Sequence, residues 1–224
     1  MKTISSLASC ARGHISRPLI GLLLALLLCA VYWAHLISDQ SVQLKYAESQ
    51  TRLRATQMSA TLTTQVSTLM AGLEYLAHSL ATTYAADPKR SFPLAVSTAL
   101  KTFPRGSIVQ IAVTDAAGGI IYSSLADQQR SSLPKISIAD REHFLVHTKG
   151  SQARLFISRP VLGRVSGKWG IQFSYPVLRE GRFAGVVVLS IAPDYISGYF
   201  REVFTGSSDV AFLVRNDGSY LARS

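Results

Sequence analysis

The apolar positions change their period twice along the chain. Residues 19–37 form an uncharged run of nineteen, which as a helix rises about 28 Å and spans a bilayer core. Residues 39–86 hold no proline and one glycine, Gly72, and are rich in Leu, Ala, Gln and Thr. One long stalk helix is predicted there, reaching about 70 Å at the α-helical rise. In its second half Leu62, Val66, Leu69, Leu73, Leu76 and Leu80 alternate spacings of four and three. Such a seam serves either one face of a helix lying on a sheet or a coiled-coil contact with a second copy, and different stretches can do both. Asp87-Pro88 ends the helix, because proline disfavours helical geometry in the residue before it.

After a short helix at 92–102 the period falls to two. Strands are predicted at 108–114, 120–123, 154–162, 169–178 and 183–191, separated by turns such as Ala117-Gly118-Gly119 and Arg179-Glu180-Gly181. Short strands joined by hairpins after a helical entry give an antiparallel five-stranded sheet in an α+β domain. Three strands alternate clearly. Val109, Ile111 and Val113 oppose Gln110 and Thr114; Leu155 and Ile157 oppose Ser158; Ile171, Phe173 and Tyr175 oppose Gln172 and Ser174. The polar side is either a solvated face or, if a loop covers it, the wall of a small-molecule pocket.

The connection at 125–154 is long enough to be that cover. Ser137-Ile138-Ala139-Asp140 reads as a capping box before a short helix at 141–147, which Gly150 closes. That helix projects Arg141, His143 and Phe144, a cation, an imidazole and a ring suited to an anionic or amphipathic ligand. The candidate ligand-binding residues are therefore Arg141, His143, Phe144, Ser158, Gln172 and Ser174. His143 and His147 have the spacing of a metal pair, but no third ligand accompanies them, so no metal and no cofactor is expected. The sequence shows no nucleophile elbow, phosphate-binding glycine loop or paired-carboxylate arrangement, and catalysis in this segment is not expected.

Charge sets the orientation. Lys2, Arg12 and Arg17 precede the apolar run and Asp39 follows it, which places the N-terminus in the cytoplasm and the bulk of the chain outside. A cleaved signal peptide is the competing reading; the run is longer than such a region, and no small-x-small cleavage site follows it. Cys10 and Cys29 are the two cysteines, so no disulfide framework exists beyond residue 38, as suits a bacterial periplasm. The 23 basic residues outweigh 13 acidic ones, and ten Lys or Arg against three acids fall between Arg130 and Arg182. This surplus fits anionic lipid headgroups or an anionic ligand; nucleic acid is not expected, because no recognised binding motif is present.

The chain also repeats itself. Residues 111–124 read IAVTDAAGGIIYSS and residues 211–224 read AFLVRNDGSYLARS, each an apolar strand, an Asp/Gly turn and a second strand. A hairpin recurring at one domain length marks a repeated module, so the second copy reads as the opening of another sheet, with the sequence breaking off inside it. The alternative adds this hairpin to the edge of the first sheet.

The order of these elements, with Asp140-Arg141-Glu142-His143-Phe144, the stretch 155–169 reading LFISRPVLGRVSGKW and the stretch 181–189 reading GRFAGVVVL, resembles the double Cache (PAS-like) periplasmic sensors of diguanylate cyclases and sensor histidine kinases. The resemblance covers residues 39–224. It implies a cytoplasmic N-terminus (1–17), a transmembrane helix (18–38), a stalk helix (39–87), a membrane-distal PAS-like domain (88–205) and the start of a second (206–224). Amino-acid-binding members use an arginine followed by a Trp and Tyr pair and preceded by a tyrosine. Arg141 matches the arginine, while His143 and Phe144 stand in place of the aromatic pair and Ile136 in place of the tyrosine. The resemblance implies a homodimer through the stalk and an output beyond this segment, a diguanylate cyclase first, a histidine kinase second, a chemoreceptor third. A membrane-tethered coiled-coil partner protein without ligand or output is the alternative function.

Overall fold

The computed structural model describes residues 17–129, 136–149, 153–203 and 210–223. The basic residues Lys2 and Arg12, Gly150, and parts of the expected cover and second module lie outside them. The chain divides into two units, residues 1–57 and 58–224.

In the first unit every side chain from Leu19 to Gln57 is exposed. The helix α1 (Arg17–Ala86) begins here, and its N-terminal part is long and apolar enough to cross a membrane, with a mean hydropathy of 2.3 in its best window. Further along α1, Thr51, Thr56, Thr63, Thr64 and Thr68 each donate a hydroxyl hydrogen bond to the carbonyl one turn back. This satisfies the hydroxyl within the helix and explains how a threonine-rich run stays helical.

The second unit is an antiparallel sheet with a layer on each face. Its elements are α2 (Ser91–Thr102), β1 (Ile108–Thr114), β2 (Ile120–Ser123), α3 (Ser124–Gln129), α4 (Glu142–Thr148), β3 (Phe156–Leu162), β4 (Trp169–Arg179), β5 (Arg182–Ile191), α5 (Pro193–Val203), β6 (Phe212–Val214) and β7 (Tyr220–Arg223). The first sheet has the order β2-β1-β5-β4-β3. On one face lie the last turns of α1 and the stripe Phe92, Val96 and Ala99 of α2, packed with Ile111, Val113, Ile171, Phe173, Val187 and Leu189. The seam predicted on α1 is used here: Leu73 and Leu80 are at most 1% exposed, and Val66, Leu69 and Leu76 pack partly buried against the same core. Along this stretch the sheet of the same chain occupies the face.

The chain turns from α1 into α2 around Asp87, whose carboxylate accepts bonds from the backbone N–H groups of Arg90 and Ser91 and from the Ser91 hydroxyl at 2.8–3.1 Å. These donors, the Ser91 hydroxyl first, hold the carboxyl below its usual range.

One open alternative about the sheet is decided and one expectation changes. Its polar side is not solvated: Gln110, Thr114, Ser158, Gln172, Ser174 and Ser190 are all at most 6% exposed, because α4 and the segment before it cover them. Val109 does not join the core face either. A bulge between Ile108 and Gln110 shifts the register against β5, so Ile108 enters the core and Val109 is left partly exposed.

The last two strands form a separate two-stranded sheet and do not extend the first. Its turn reproduces that of β1–β2. Asp115 N–H bonds to Gly119 O and Arg215 N–H to Ser219 O, both at 2.9 Å, and Gly118 and Gly218 occupy the left-handed region at φ 85° and 83°. Both hairpins also carry a bulge on the strand residue before the turn, between Val113 and Thr114 and between Leu213 and Val214.

At the bulge of β1, Gly185 of β5 sits at φ 145°, and a Cβ there falls 1.9 Å from the Thr114 carbonyl oxygen. Thr114 Oγ1 in turn accepts Val186 N–H at 3.1 Å. Gly185→Ala is therefore expected to destabilise by about 2 kcal/mol or more, lowering the thermal midpoint by roughly 5 °C. Differential scanning calorimetry checks this; an unchanged midpoint shows that the bulge yields freely.

Candidate functional site

The covered face of the sheet is built from polar side chains that bond mainly to each other. Gln110 Nε2 donates to Ser123 Oγ at 2.9 Å, and Gln172 Nε2 to the Gly170 carbonyl at 3.2 Å, while the Ser190 hydroxyl donates to Gln172 Oε1. Ser158 Oγ accepts the Gln172 backbone N–H at 3.0 Å. Among the described residues no buried side-chain nitrogen or oxygen is left without a partner.

The cover is fastened at two points, both within residues 136–140. At one, Ile138 N–H bonds to Gly118 O at 2.8 Å and Ile120 N–H to Ile136 O at 2.9 Å, joining it to the β1–β2 hairpin. Here Gly118 is required, since a Cβ on it comes within 2.7 Å of the Ala139 backbone. At the second point Arg164, in the β3–β4 turn, grips Asp140 with both terminal nitrogens at 2.7 Å and also donates to the Ser137 carbonyl. The Arg164 bonds hold the Asp140 carboxyl below its usual range.

The expected capping box is not formed. Ser137 Oγ accepts Ala139 N–H at 3.2 Å and donates to Gly118 O, and Asp140 is taken by Arg164, so neither reaches the helix. Helix α4 begins one residue later, with extended Arg141 (φ −84°, ψ 142°) at its N-cap and no side-chain cap.

Between cover and sheet lies a cavity of about 40 Å³. Gln110, Ala112, Gln172, Val188 and Ser190 form its floor, Ile138, Arg141 and His143 its roof, and Ile120 with the residues Val161–Val165 its sides. Of the six candidate residues, Arg141, His143 and Gln172 line it. Phe144 instead packs with Ile138, Val186, Val188 and Phe183, holding α4 on the sheet. Ser174 bonds to His147 Nε2 at 2.9 Å, and Ser158 supports the Gln172 backbone from beside the cavity. Sequence reasoning passed over Ser190, which interrupts an otherwise apolar β5, and Arg164, which gave no signal within its glycine-serine turn. Gln110 was recognised as polar-faced but not as part of the site.

Arg141 donates one long bond, 3.4 Å, to Leu162 O, and no carboxylate among the described residues pairs with it. His143 is 5% exposed, lines the cavity and makes no hydrogen bond to any described residue. Burial, then the positive charge of Arg141, pushes its pKa down to about 4. His147 is pushed to about 4 chiefly by burial. Both rings are neutral at neutral pH.

Glu142, between the two cavity residues, points the other way. Arg215 of the β6–β7 turn approaches it at 3.4 Å and Arg159 of β3 at 4.0 Å. Arg215 also stacks over the Phe156 ring, 5.3 Å from its centroid.

No family model and no curated protein matches the chain. Solved structures do. The extracellular domain of a protein assigned as a histidine kinase, rpHK1S-Z16, aligns over 79% of this chain and 71% of its own at 24% identity and a TM-score of 0.67. The sensory domain of the Campylobacter jejuni chemoreceptor Tlp3, with isoleucine bound, aligns over the same shares at 14% identity and a TM-score of 0.60. The ligand-binding domain of the Pseudomonas fluorescens chemoreceptor CtaA, in complex with L-serine, aligns over 70% of this chain and 65% of its own at 19% identity and a TM-score of 0.53. The chain thus has the Cache-like fold of extracellular sensory domains.

A histidine whose folded pKa lies below its unfolded value of 6.5 stabilises the fold only while it stays neutral, so that stability is full above pH 6.5 and drains away as the pH falls toward about 4. The lowered carboxyls of Asp87 and Asp140 act only below their unfolded value of 3.8. Between pH 6.5 and 4 the thermal midpoint is therefore expected to fall steeply, and a His143→Gln/His147→Gln double variant to flatten that slope. Thermal denaturation across this range measures it; an equal slope in the variant assigns the acid sensitivity elsewhere.

Proposed function

We propose that this chain is the sensing region of a bacterial membrane receptor, anchored by the N-terminal part of α1 with its N-terminus in the cytoplasm and the sheet unit in the periplasm. A small anionic molecule binds in the cavity between the sheet and the cover, and α1, which runs from that unit into the apolar segment, carries the response toward a cytoplasmic output. A histidine kinase or chemoreceptor output is supported by the kinds of protein that share the fold; a diguanylate cyclase fits the same arrangement. The observation that carries the reading is the cavity roof, where Arg141, a cation with no carboxylate partner among the described residues, and His143 stand over a polar floor. A cation lining a cavity without a counter-charge favours an anion there, through charge-assisted hydrogen bonds. The fastenings at Gly118 and Arg164 give the cover a defined closed position, as a binding site requires.

The test is a thermal-shift screen of the full chain in detergent against a broad panel of small metabolites. A ligand at a hundred times its dissociation constant stabilises by about 2.7 kcal/mol. Ala112→Leu fills the cavity floor and is expected to abolish the shift. A ligand whose effect survives that substitution binds elsewhere, and a panel without any hit removes the sensing reading.

A further inference from the structure

The lining of the cavity specifies more than negative charge. Two cations contribute to it, Arg141 and Arg164, but Arg164 is matched by its two-pronged contact with Asp140. One positive charge, that of Arg141, is left over. No Asp or Glu among the described residues lines the space, so nothing there receives an ammonium group. The remaining surface is mostly aliphatic, with Ile138, Val161 and Val188 facing the polar end. At about 40 Å³ the cavity is small, which favours a compact ligand.

From this we infer that the ligand is an acetate- to propionate-sized monocarboxylate, its carboxylate between Arg141 and the His143 ring and its short alkyl end against the aliphatic wall. The inference rests on the proposed sensing role and adds to it the chemical class. Arg141 supplies the charge, with donors left over beyond its one long bond to Leu162 O. Neutral His143, on the same roof, donates a single N–H to the second carboxylate oxygen. A dicarboxylate brings a second negative charge that the site does not balance, and an amino acid brings an ammonium that must be buried against Arg141.

The experiment titrates the full chain in detergent at pH 7 with sodium acetate, sodium propionate, sodium succinate, L-serine and L-isoleucine, with sodium chloride at matched ionic strength as the blank, reading the thermal midpoint. Acetate or propionate is expected to give a saturable rise. Arg141→Gln is expected to weaken it at least tenfold and His143→Phe severalfold, while Arg141→Lys retains part of the binding, which separates lost charge from a lost fold. If L-serine, L-isoleucine or succinate stabilises and the short carboxylates do not, the assigned class is wrong; the sensing role then stands only if Ala112→Leu abolishes that effect. A rise with acetate or propionate that Arg141→Gln leaves unchanged overturns the class and the assigned cavity together. No rise with any of the five overturns the class, and the broad screen decides the sensing role separately.

Discussion

A polar sheet face can be buried only if its side chains find partners, and the site depends on how this one does so. Gln110 pairs with Ser123, and Gln172 with Ser190 and the Gly170 carbonyl, so the floor is hydrogen-bonded before any ligand arrives. The cover adds Arg141 and His143 over that floor. Had the floor amides been unpaired, closing the cover over them would have cost more than Phe144 and its aliphatic neighbours return. The uncompensated charge is on the roof, in Arg141.

The two faces of the sheet divide the labour. On the helical side the contacts are aliphatic and aromatic, from Leu73 and Leu80 through the Tyr84, Phe92 and Tyr122 stack, and they fix the sheet to α1. The other side is held by a smaller apolar cluster around Phe144, the buried His147–Ser174 bond, a few backbone bonds and one charged grip, Arg164 on Asp140, exposed enough to be worth little by itself. The larger apolar cluster is therefore on the α1 side, and the cover is held by the smaller one.

Much of this was legible in the sequence because it follows from periodicity. The strands β1 and β2 fall where alternation put them, and the helix α1 ends at Ala86, beside Asp87-Pro88. The repeat between 111–124 and 211–224 marked two hairpins, and their turns match down to the glycine φ angles. What failed was decided by contacts between distant segments. The seam of α1 could not announce which surface it meets. Ser137 and Asp140 have the spacing of a capping box, but Gly118 and Arg164 compete for them, and neither competitor is near in sequence. Alternation named Gln172 and Ser174 as equals; only the fold shows that one lines a cavity and the other serves His147. Val109 was lost to a bulge, which breaks the parity on which alternation depends.

Glu142 occupies the one backbone position between Arg141 and His143, and its carboxylate is held from outside by Arg215 of the second sheet and Arg159 of the first. Three successive residues thus answer to two masters across the first turn of α4. Because the three share one helical turn, any rotation that shifts Arg141 and His143 at the cavity wall also shifts Glu142 against Arg215, which links that wall mechanically to the β6–β7 hairpin.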